Sequence, residues 1–167
     1  MGLLNFKNNG KKISGTEPLA FNRKLAENYG IKLSPKIKNI KKKSDLIILS
    51  HVMEHMSDLE LELRKIYNLS KKYLFIEVPG IVTRFSSIQI AHNYYFSKYT
   101  LGALLEKNGF KCIDMQYAKD NQYILGIFKK VKQNYNMTFG NKIEVLRIFI
   151  IYYIYFTKWL LKKIIKL

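Results

Sequence analysis

Four side chains carry most of the reactive chemistry in this sequence: His51, Glu54, His55 and His92. The first three belong to the string His-Val-Met-Glu-His, and His92 is the only histidine outside it. Imidazole can act as a general base near neutral pH, and imidazole combined with carboxylate can bind a divalent metal ion. The string also matches the H-x-x-E-H signature of the inverted zinc proteases, which requires both histidines on one face of a helix.

The element that must position this string is a strand rather than a helix. Residues 45–50, Asp-Leu-Ile-Ile-Leu-Ser, form an apolar run with polar ends directly before His51. This pattern predicts a strand that is buried on both faces, as in a parallel sheet. The zinc-protease interpretation is therefore disfavoured. The string is instead expected at the carboxyl end of a strand, where open α/β sheets bind ligands.

The rest of the chain predicts an alternation of strands and helices. Three helices are predicted. The first covers 19–29 and is ended by Gly30, and the second covers 58–69 with Ser57 or Asp58 as its N-cap. The third covers 97–108, with Ser97 as its N-cap and Gly109 after its end. Further strands are predicted over 13–18, 31–33, 73–80, 110–118 and 123–131, the last two joined by a turn at 119–122. Residues 81–93 are predicted to be a loop or a short helix. This order predicts an α/β domain over residues 1–134, a three-layer sandwich with a mostly parallel sheet and a closing antiparallel hairpin.

Charge and cysteine content narrow the class of protein. The chain has 167 residues, 29 of them Lys or Arg against 12 Asp or Glu, for a net charge of +17. Its lysines are scattered and arginine occurs only at four positions, whereas nucleic-acid surfaces favour arginine. We therefore expect a solvated basic surface that is attracted to membranes, and no nucleic-acid partner.

The single Cys112 excludes an internal disulfide, and the N-terminus lacks a signal peptide, so we expect a cytoplasmic protein.

The C-terminal segment 145–167 is apolar, aromatic and basic. Its uncharged run between Arg147 and Lys158 covers 148–157. A transmembrane helix needs about 20 apolar residues, so this run is too short to span a bilayer. The segment predicts a separate helix within 141–167. That helix either lies in the plane of the inner membrane surface or packs on the domain or on a partner chain.

Four blocks of residues, taken in order, resemble the class I S-adenosylmethionine-dependent methyltransferases that act on sugars, quinones or other small molecules. They are Gly15-Thr-Glu-Pro18, the stretch 45–56 ending in Glu-His-Met, Glu77-Val-Pro-Gly80, and the segment from His92 to Phe110 with Phe96-Ser97, Thr100-Leu101 and Gly109. Each block is short, and their order and spacing over roughly 13–131 carry the resemblance. It implies a Rossmann-like fold, S-adenosylmethionine as cofactor and a small-molecule acceptor.

The resemblance also assigns roles to individual residues. Glu17 would accept hydrogen bonds from the two ribose hydroxyls of the cofactor, and Ser50 and His51 would line its methionine side. Gly2 would be the last glycine of the cofactor loop. The other glycines of that loop and the family's first strand have no counterpart in the sequence given, so we expect weakened cofactor binding and a sheet that lacks its first strand. A partner chain would then complete the sheet, or the protein would be a non-catalytic remnant or partner subunit.

Glu54, His55 and His92 are the candidate catalytic residues. Three interpretations remain open for them. Together with His51 they would hold a metal ion that orients a substrate hydroxyl, or one histidine would be a general base, or Glu54 and His55 would brace the loop. From the sequence we assign no metal ion. Methyl transfer itself mainly requires alignment of donor and acceptor, so the lack of a catalytic triad does not count against the family.

Overall fold

The computed structural model describes residues 2–80, 91–118 and 122–133, together with positions 153 and 157. The chain divides into two compact units, Met1–Lys42 and Lys43–Leu167. Most of the predicted hairpin turn at 119–122 and most of the segment at 81–93 lie outside the described residues. So does the C-terminal helix predicted within 141–167, apart from Tyr153 and Thr157, which are both helical.

The first unit contains two helices, α1 (Gly2–Asn8) and α2 (Ala20–Asn28), and a 3-10 turn at Ile37–Asn39. The strands predicted over 13–18 and 31–33 are wrong as continuous elements, because only a parallel bridge between Thr16 and Ser34 forms. Its two backbone hydrogen bonds, Glu17 N to Ser34 O and Ser34 N to Gly15 O, are 2.9 Å long. The helix predicted over 19–29 is α2, and Gly30 after it has a φ of +66°.

A four-stranded sheet forms the centre of the second unit. Its strands are β1 (Ser44–Ser50), β2 (Ser70–Pro79), β3 (Phe110–Ala118) and β4 (Tyr123–Lys130). The order is β1-β2-β4-β3, with β1 and β2 parallel and β4 antiparallel to both β2 and β3. The predicted α/β fold with a closing antiparallel hairpin is thereby confirmed. The sheet was predicted to be mostly parallel, but of the three strand pairings in the described residues only β1–β2 is parallel. β2 starts at Ser70, earlier than predicted, because Ser70 pairs with Ser44.

Two helices flank this sheet, α3 (Leu59–Leu69) and α4 (Lys98–Lys107). The side chain of Asp58, rather than that of Ser57, caps α3 by accepting from the backbone N–H of Leu61 at 2.9 Å. Ser97 caps α4 as predicted and forms a reciprocal capping box with Thr100. Both caps satisfy backbone donors that a helix N-terminus otherwise leaves unpaired.

One face of the sheet is buried and the other is partly open. Alternate residues of β2 and β4 that share a face, together with the inward residues of α3 and α4, are fully buried: Leu63, Ile66, Leu74, Ile76, Val78, Leu101, Leu105, Ile124 and Phe128. On the opposite face Leu46 and Ile48 of β1 remain 38% and 39% exposed. The prediction that this strand is buried on both faces is therefore wrong for its second face. β1 has only β2 as a partner among the described strands.

Among the residues that the structure describes, no helix is both long and apolar enough to cross a membrane.

Candidate active site

Polar side chains gather at the carboxyl ends of the parallel strands β1 and β2. Ser50, the last residue of β1, lies opposite Glu77 in the register of the two strands. The Ser50 hydroxyl donates a hydrogen bond of 2.6 Å to Glu77 Oε2, and the backbone N–H of His51 donates one of 2.9 Å to Glu77 O. The carboxyl ends of adjacent parallel strands are where α/β sheets bind ligands. The structure thus brings the two predicted cofactor-side residues, Ser50 and His51, to this edge.

His51 is held in an unusual position directly after β1. Its φ of +52° makes it the one described residue other than glycine in the left-handed region, a conformation that costs roughly 1–3 kcal/mol. Its Nδ1 lies 3.3 Å from Glu54 Oε1 and its Nε2 lies 3.8 Å from Glu77 Oε1. The ring also packs edge-on against Tyr123, with centroids 5.1 Å apart. The tight turn aims the imidazole between two carboxylates.

Glu54 is the most deeply buried charged residue among those described, with no exposed surface. It lies in a short 3-10 turn, Met53–His55, that follows the β1 end. Neither of its carboxylate oxygens has a hydrogen-bond partner among the described residues. The 3.3 Å contact with His51 is close enough for an ion pair but lacks hydrogen-bonding geometry. Glu54 therefore has a buried carboxylate that accepts no hydrogen bond from any residue the structure describes.

His55 and His92, two of the candidate catalytic residues, lie close to each other and to this carboxylate. Their ring centroids are 4.8 Å apart. His55 Nδ1 lies 2.9 Å from the carbonyl oxygen of Ala91, which can only accept, so Nδ1 carries the proton when the ring is neutral. His92 Nδ1 is buried and has no partner among the residues described. One ligand atom each from Glu54, His55 and His92 lie within 4.8 Å of one another.

Backbone hydrogen bonds join the two segments that carry these side chains. The N–H groups of Asn93 and Tyr94 donate to Glu54 O at 2.7 and 3.3 Å. The Asn93 side-chain amide donates to Met56 O at 3.2 Å and to His55 O at 3.4 Å. The 3-10 turn and the 91–94 segment are therefore fixed against each other, although they are distant in the sequence.

Gly2 and Glu17 belong to the first unit. Gly2 is the first residue of α1. Glu17 follows the Thr16 bridge, and its Oε1 accepts a hydrogen bond of 2.9 Å from the backbone N–H of Leu19. The Arg23 side chain donates to Glu17 O at 2.8 Å, which ties the turn to α2. The carboxylate therefore follows a single bridge residue instead of the continuous strand that the sequence predicted before it.

The sequence interpretation missed two members of this site, Glu77 and Tyr123. The signal for Glu77 was present, because a single acidic residue near the end of an otherwise apolar strand is unusual. Tyr123 had no such signal, since only the antiparallel pairing of β4 with β2 places it opposite Pro79. The zinc-protease alternative is excluded by geometry: Val52 and His51 have non-helical backbone angles, so the string does not lie on an α-helix.

The lone thiol is not part of this chemistry. Burial, followed by the nearby carboxylates of Glu106 and Asp114, raises the pKa of Cys112. A raised pKa leaves less thiolate at neutral pH, so the thiol is a poor nucleophile. This agrees with its placement in β3 as a structural residue.

The chain matches the family described as methyltransferase domain over residues 3–115. The chain belongs to the methyltransferase-domain family. The match includes Glu17 and the whole cluster at the β1 and β2 ends, and it starts after Gly2. No curated protein matches the chain.

Solved structures of methyltransferases share this fold at low sequence identity. One is the 1,6-didemethyltoxoflavin-N1-methyltransferase of Burkholderia thailandensis, with bound 1,6-didemethyltoxoflavin and S-adenosylhomocysteine: 16% identity, TM-score 0.62, covering 78% of this chain and 66% of that one. Another is the magnesium protoporphyrin IX methyltransferase of Synechocystis, which is 12% identical with a TM-score of 0.60; the match covers 78% of this chain and 68% of that one. A third is the N-methyltransferase NodS of Bradyrhizobium japonicum, which is 11% identical with a TM-score of 0.54; the match covers 72% of this chain and 74% of that one. The methyltransferase-domain chain described here spans slightly less than two thirds of the Burkholderia enzyme.

Proposed function

We propose that this protein is an S-adenosylmethionine-dependent methyltransferase that acts on a small metabolite, such as a sugar or a lipid-linked acceptor. The observation that carries the proposal is the convergence of Ser50, His51 and Glu77 at the carboxyl ends of two parallel strands. Membership of the methyltransferase-domain family supports the reaction class. Solved relatives with bound S-adenosylhomocysteine support the cofactor.

The residues present fit the cofactor in its chemistry. S-adenosylmethionine has two ribose hydroxyl donors, and the Glu17 carboxylate after an extended segment suits them. Its methionine end carries an ammonium and a sulfonium, and the Glu77 carboxylate beside Ser50 and His51 suits this positive charge. When bound, the cofactor supplies an electrophilic methyl group. The protein then has to bind the cofactor and the acceptor, orient them toward each other, and exclude water.

The acceptor side is proposed to be the cluster of Glu54, His55 and His92. His55 is exposed, so it is reachable by a ligand, whereas Glu54 is fully buried. His55 or His92 would take a proton from the acceptor if the accepting atom requires it.

A second candidate function is that of a partner subunit, with catalysis depending on another chain. β1 has a strand partner on one side only within the described sheet, and Leu46 and Ile48 are more than a third exposed. An unpaired edge beside exposed apolar residues is a template for pairing with another chain. This second chain would complete the sheet next to β1. For either function we expect a cytoplasmic protein with segment 145–167 at the inner face of a membrane.

Methyl transfer distinguishes these functions. The experiment follows transfer of a radiolabelled methyl group from S-adenosylmethionine to a panel of sugars, quinols and lipid-linked acceptors. The first function predicts transfer by the chain alone, and a loss of at least about 100-fold in His55→Ala or His92→Ala if a histidine is the base. Transfer that both substitutions leave unchanged would remove the catalytic role of the histidines. Cofactor binding without transfer to any acceptor would favour the partner subunit.

A further inference from the structure

The buried carboxylate of Glu54 lacks the bonding that its burial requires. Its side chain has no exposed surface, and both oxygens are without a hydrogen bond among the described residues. Burying a carboxylate without compensation is strongly unfavourable, because charge and lone pairs lose their water. The nearest cationic candidate is His51, whose Nδ1 is 3.3 Å away in poor geometry. Among the described residues, the Glu54 carboxylate therefore has unused acceptor capacity that a cation would satisfy.

One of the two imidazoles beside Glu54, that of His55, has its tautomer fixed by a hydrogen bond. Because His55 Nδ1 points its proton at Ala91 O, the lone pair of the neutral ring is on Nε2. Histidines that bind metals usually donate their second N–H to a backbone carbonyl in this way, which fixes the tautomer and the ring orientation. His92 contributes a second ring, whose Nδ1 is buried and unpartnered in the described part of the chain.

The distances within the cluster suit one shared ion. The three ligand atoms lie within 4.8 Å of one another. Metal bonds to imidazole nitrogen and carboxylate oxygen are about 2.0–2.2 Å long, so small side-chain rotations would bring all three into contact with one ion. The bonds from Asn93 and Tyr94 to Glu54 O hold the two segments together before any ion binds. Such preorganisation lowers the cost of forming the site.

We propose that Glu54, His55 and His92 bind one divalent cation of the transition-metal type, for which Zn²⁺ is the best match. Two imidazoles and one carboxylate are the donor set of open zinc sites, whereas Mg²⁺ prefers oxygen ligands only. His51 is outside this set, and its Nδ1 lies 3.3 Å from Glu54 Oε1. Three protein ligands leave room on the ion. On the basis of the proposed function, an oxygen atom of the methyl acceptor binds at this open position. A histidine nitrogen that binds the ion cannot also be the base, so the ion then replaces the histidine base in activating the acceptor.

Calorimetric titration of Zn²⁺ into the full chain tests the site directly. The expected result is a 1:1 complex, with Mg²⁺ binding at least about tenfold more weakly. His92→Ala and Glu54→Gln should each reduce the Zn²⁺ affinity at least about tenfold, in the range expected when a metal site loses a ligand or its support. Glu60→Gln is the matched control, since Glu60 is an exposed carboxylate paired with Lys107 and should leave the affinity unchanged. Wild-type affinity in both His92→Ala and Glu54→Gln would overturn the proposal.

Cobalt provides a second measurement on the unaltered protein, in case the buried Glu54→Gln variant fails to fold. Co²⁺ in a site of low coordination number with nitrogen ligands gives visible absorption far stronger than the hydrated ion. Strong absorption that saturates at one equivalent and is displaced by Zn²⁺ supports the site. A spectrum like that of hydrated Co²⁺ overturns it. Neither titration contains S-adenosylmethionine, so failure of the metal site and failure of the proposed function are separate outcomes.

Discussion

The backbone N–H of Asn93 donates a 2.7 Å hydrogen bond to the carbonyl oxygen of Glu54. This bond joins the turn after β1 to the segment before α4, and it places His92 beside His55 and Glu54. The candidate acceptor site therefore depends on a contact between segments that are distant in the sequence. Substitutions that loosen this contact should affect the cluster without touching its side chains.

Asn93→Ala tests this dependence. The substitution removes the side-chain bonds to Met56 O and His55 O but keeps the backbone bond to Glu54 O. Loss of these bonds should lower the free energy of unfolding by about 1 kcal/mol, and Zn²⁺ affinity should fall severalfold because the ligand segments separate more easily. Urea denaturation and calorimetry measure the two effects. If Asn93→Ala leaves both quantities unchanged, the two segments are held together by other contacts.

The left-handed backbone of His51 predicts a difference between two substitutions at that position. Glycine adopts a φ of +52° without a steric penalty, whereas alanine keeps the strain of a Cβ there. His51→Gly should therefore be more stable than His51→Ala by about 1 kcal/mol. Thermal denaturation compares the two, and both have lost the ring that contacts Tyr123. A His51→Ala protein as stable as His51→Gly would mean that the backbone is not strained at this residue.

The raised pKa of Cys112 predicts slow alkylation. Because burial and the carboxylates of Glu106 and Asp114 raise this pKa, the thiolate fraction at pH 8 is lower in the folded than in the unfolded protein. Iodoacetamide labelling followed by mass spectrometry should be slower before unfolding than in urea. Glu106→Gln removes one of the two charges and should speed labelling of the folded protein. Equal rates in folded and unfolded protein would contradict the raised pKa.

The C-terminal segment predicts binding to anionic vesicles. Lysines and aromatic residues of 145–167 should hold the chain at the lipid surface. In a flotation assay with vesicles containing anionic lipid, the full chain should float and a chain ending at Asn141 should not. High salt should weaken the interaction, because it screens the lysines. If the shortened chain floats equally well, membrane binding does not depend on this segment.

The regular elements were predictable from the sequence because their signals are local. The apolar run of β1, the leucine spacing of α3 and the Ser97 cap of α4 are each visible within about ten residues. The segments around Thr16 and Ser34 were predicted as strands, but each offers only a few residues and gains a single bridge. Strand formation there depends on partners that local sequence does not specify.

The site was predictable only in part. Glu54, His55 and His92 were named from residue type and resemblance, and the structure places them together. The bond between the Glu54 turn and the 91–94 segment comes from Asn93, and the proton position on His55 depends on Ala91; neither residue belongs to a recognisable motif. Glu77 lies next to Ser50 because of the register in which β1 pairs with β2. A pairing register cannot be read from the sequence of one strand alone.

Titration of S-adenosylmethionine into the purified chain, followed by calorimetry, tests the central claim most directly. We predict saturable binding at one site, weakened at least about tenfold by Glu17→Ala and by Glu77→Gln, because each removes a carboxylate proposed to contact the cofactor. Glu60→Gln should bind as the unaltered chain does, since Glu60 is paired with Lys107 on the surface of α3. A folded chain that shows no saturable binding would contradict the account.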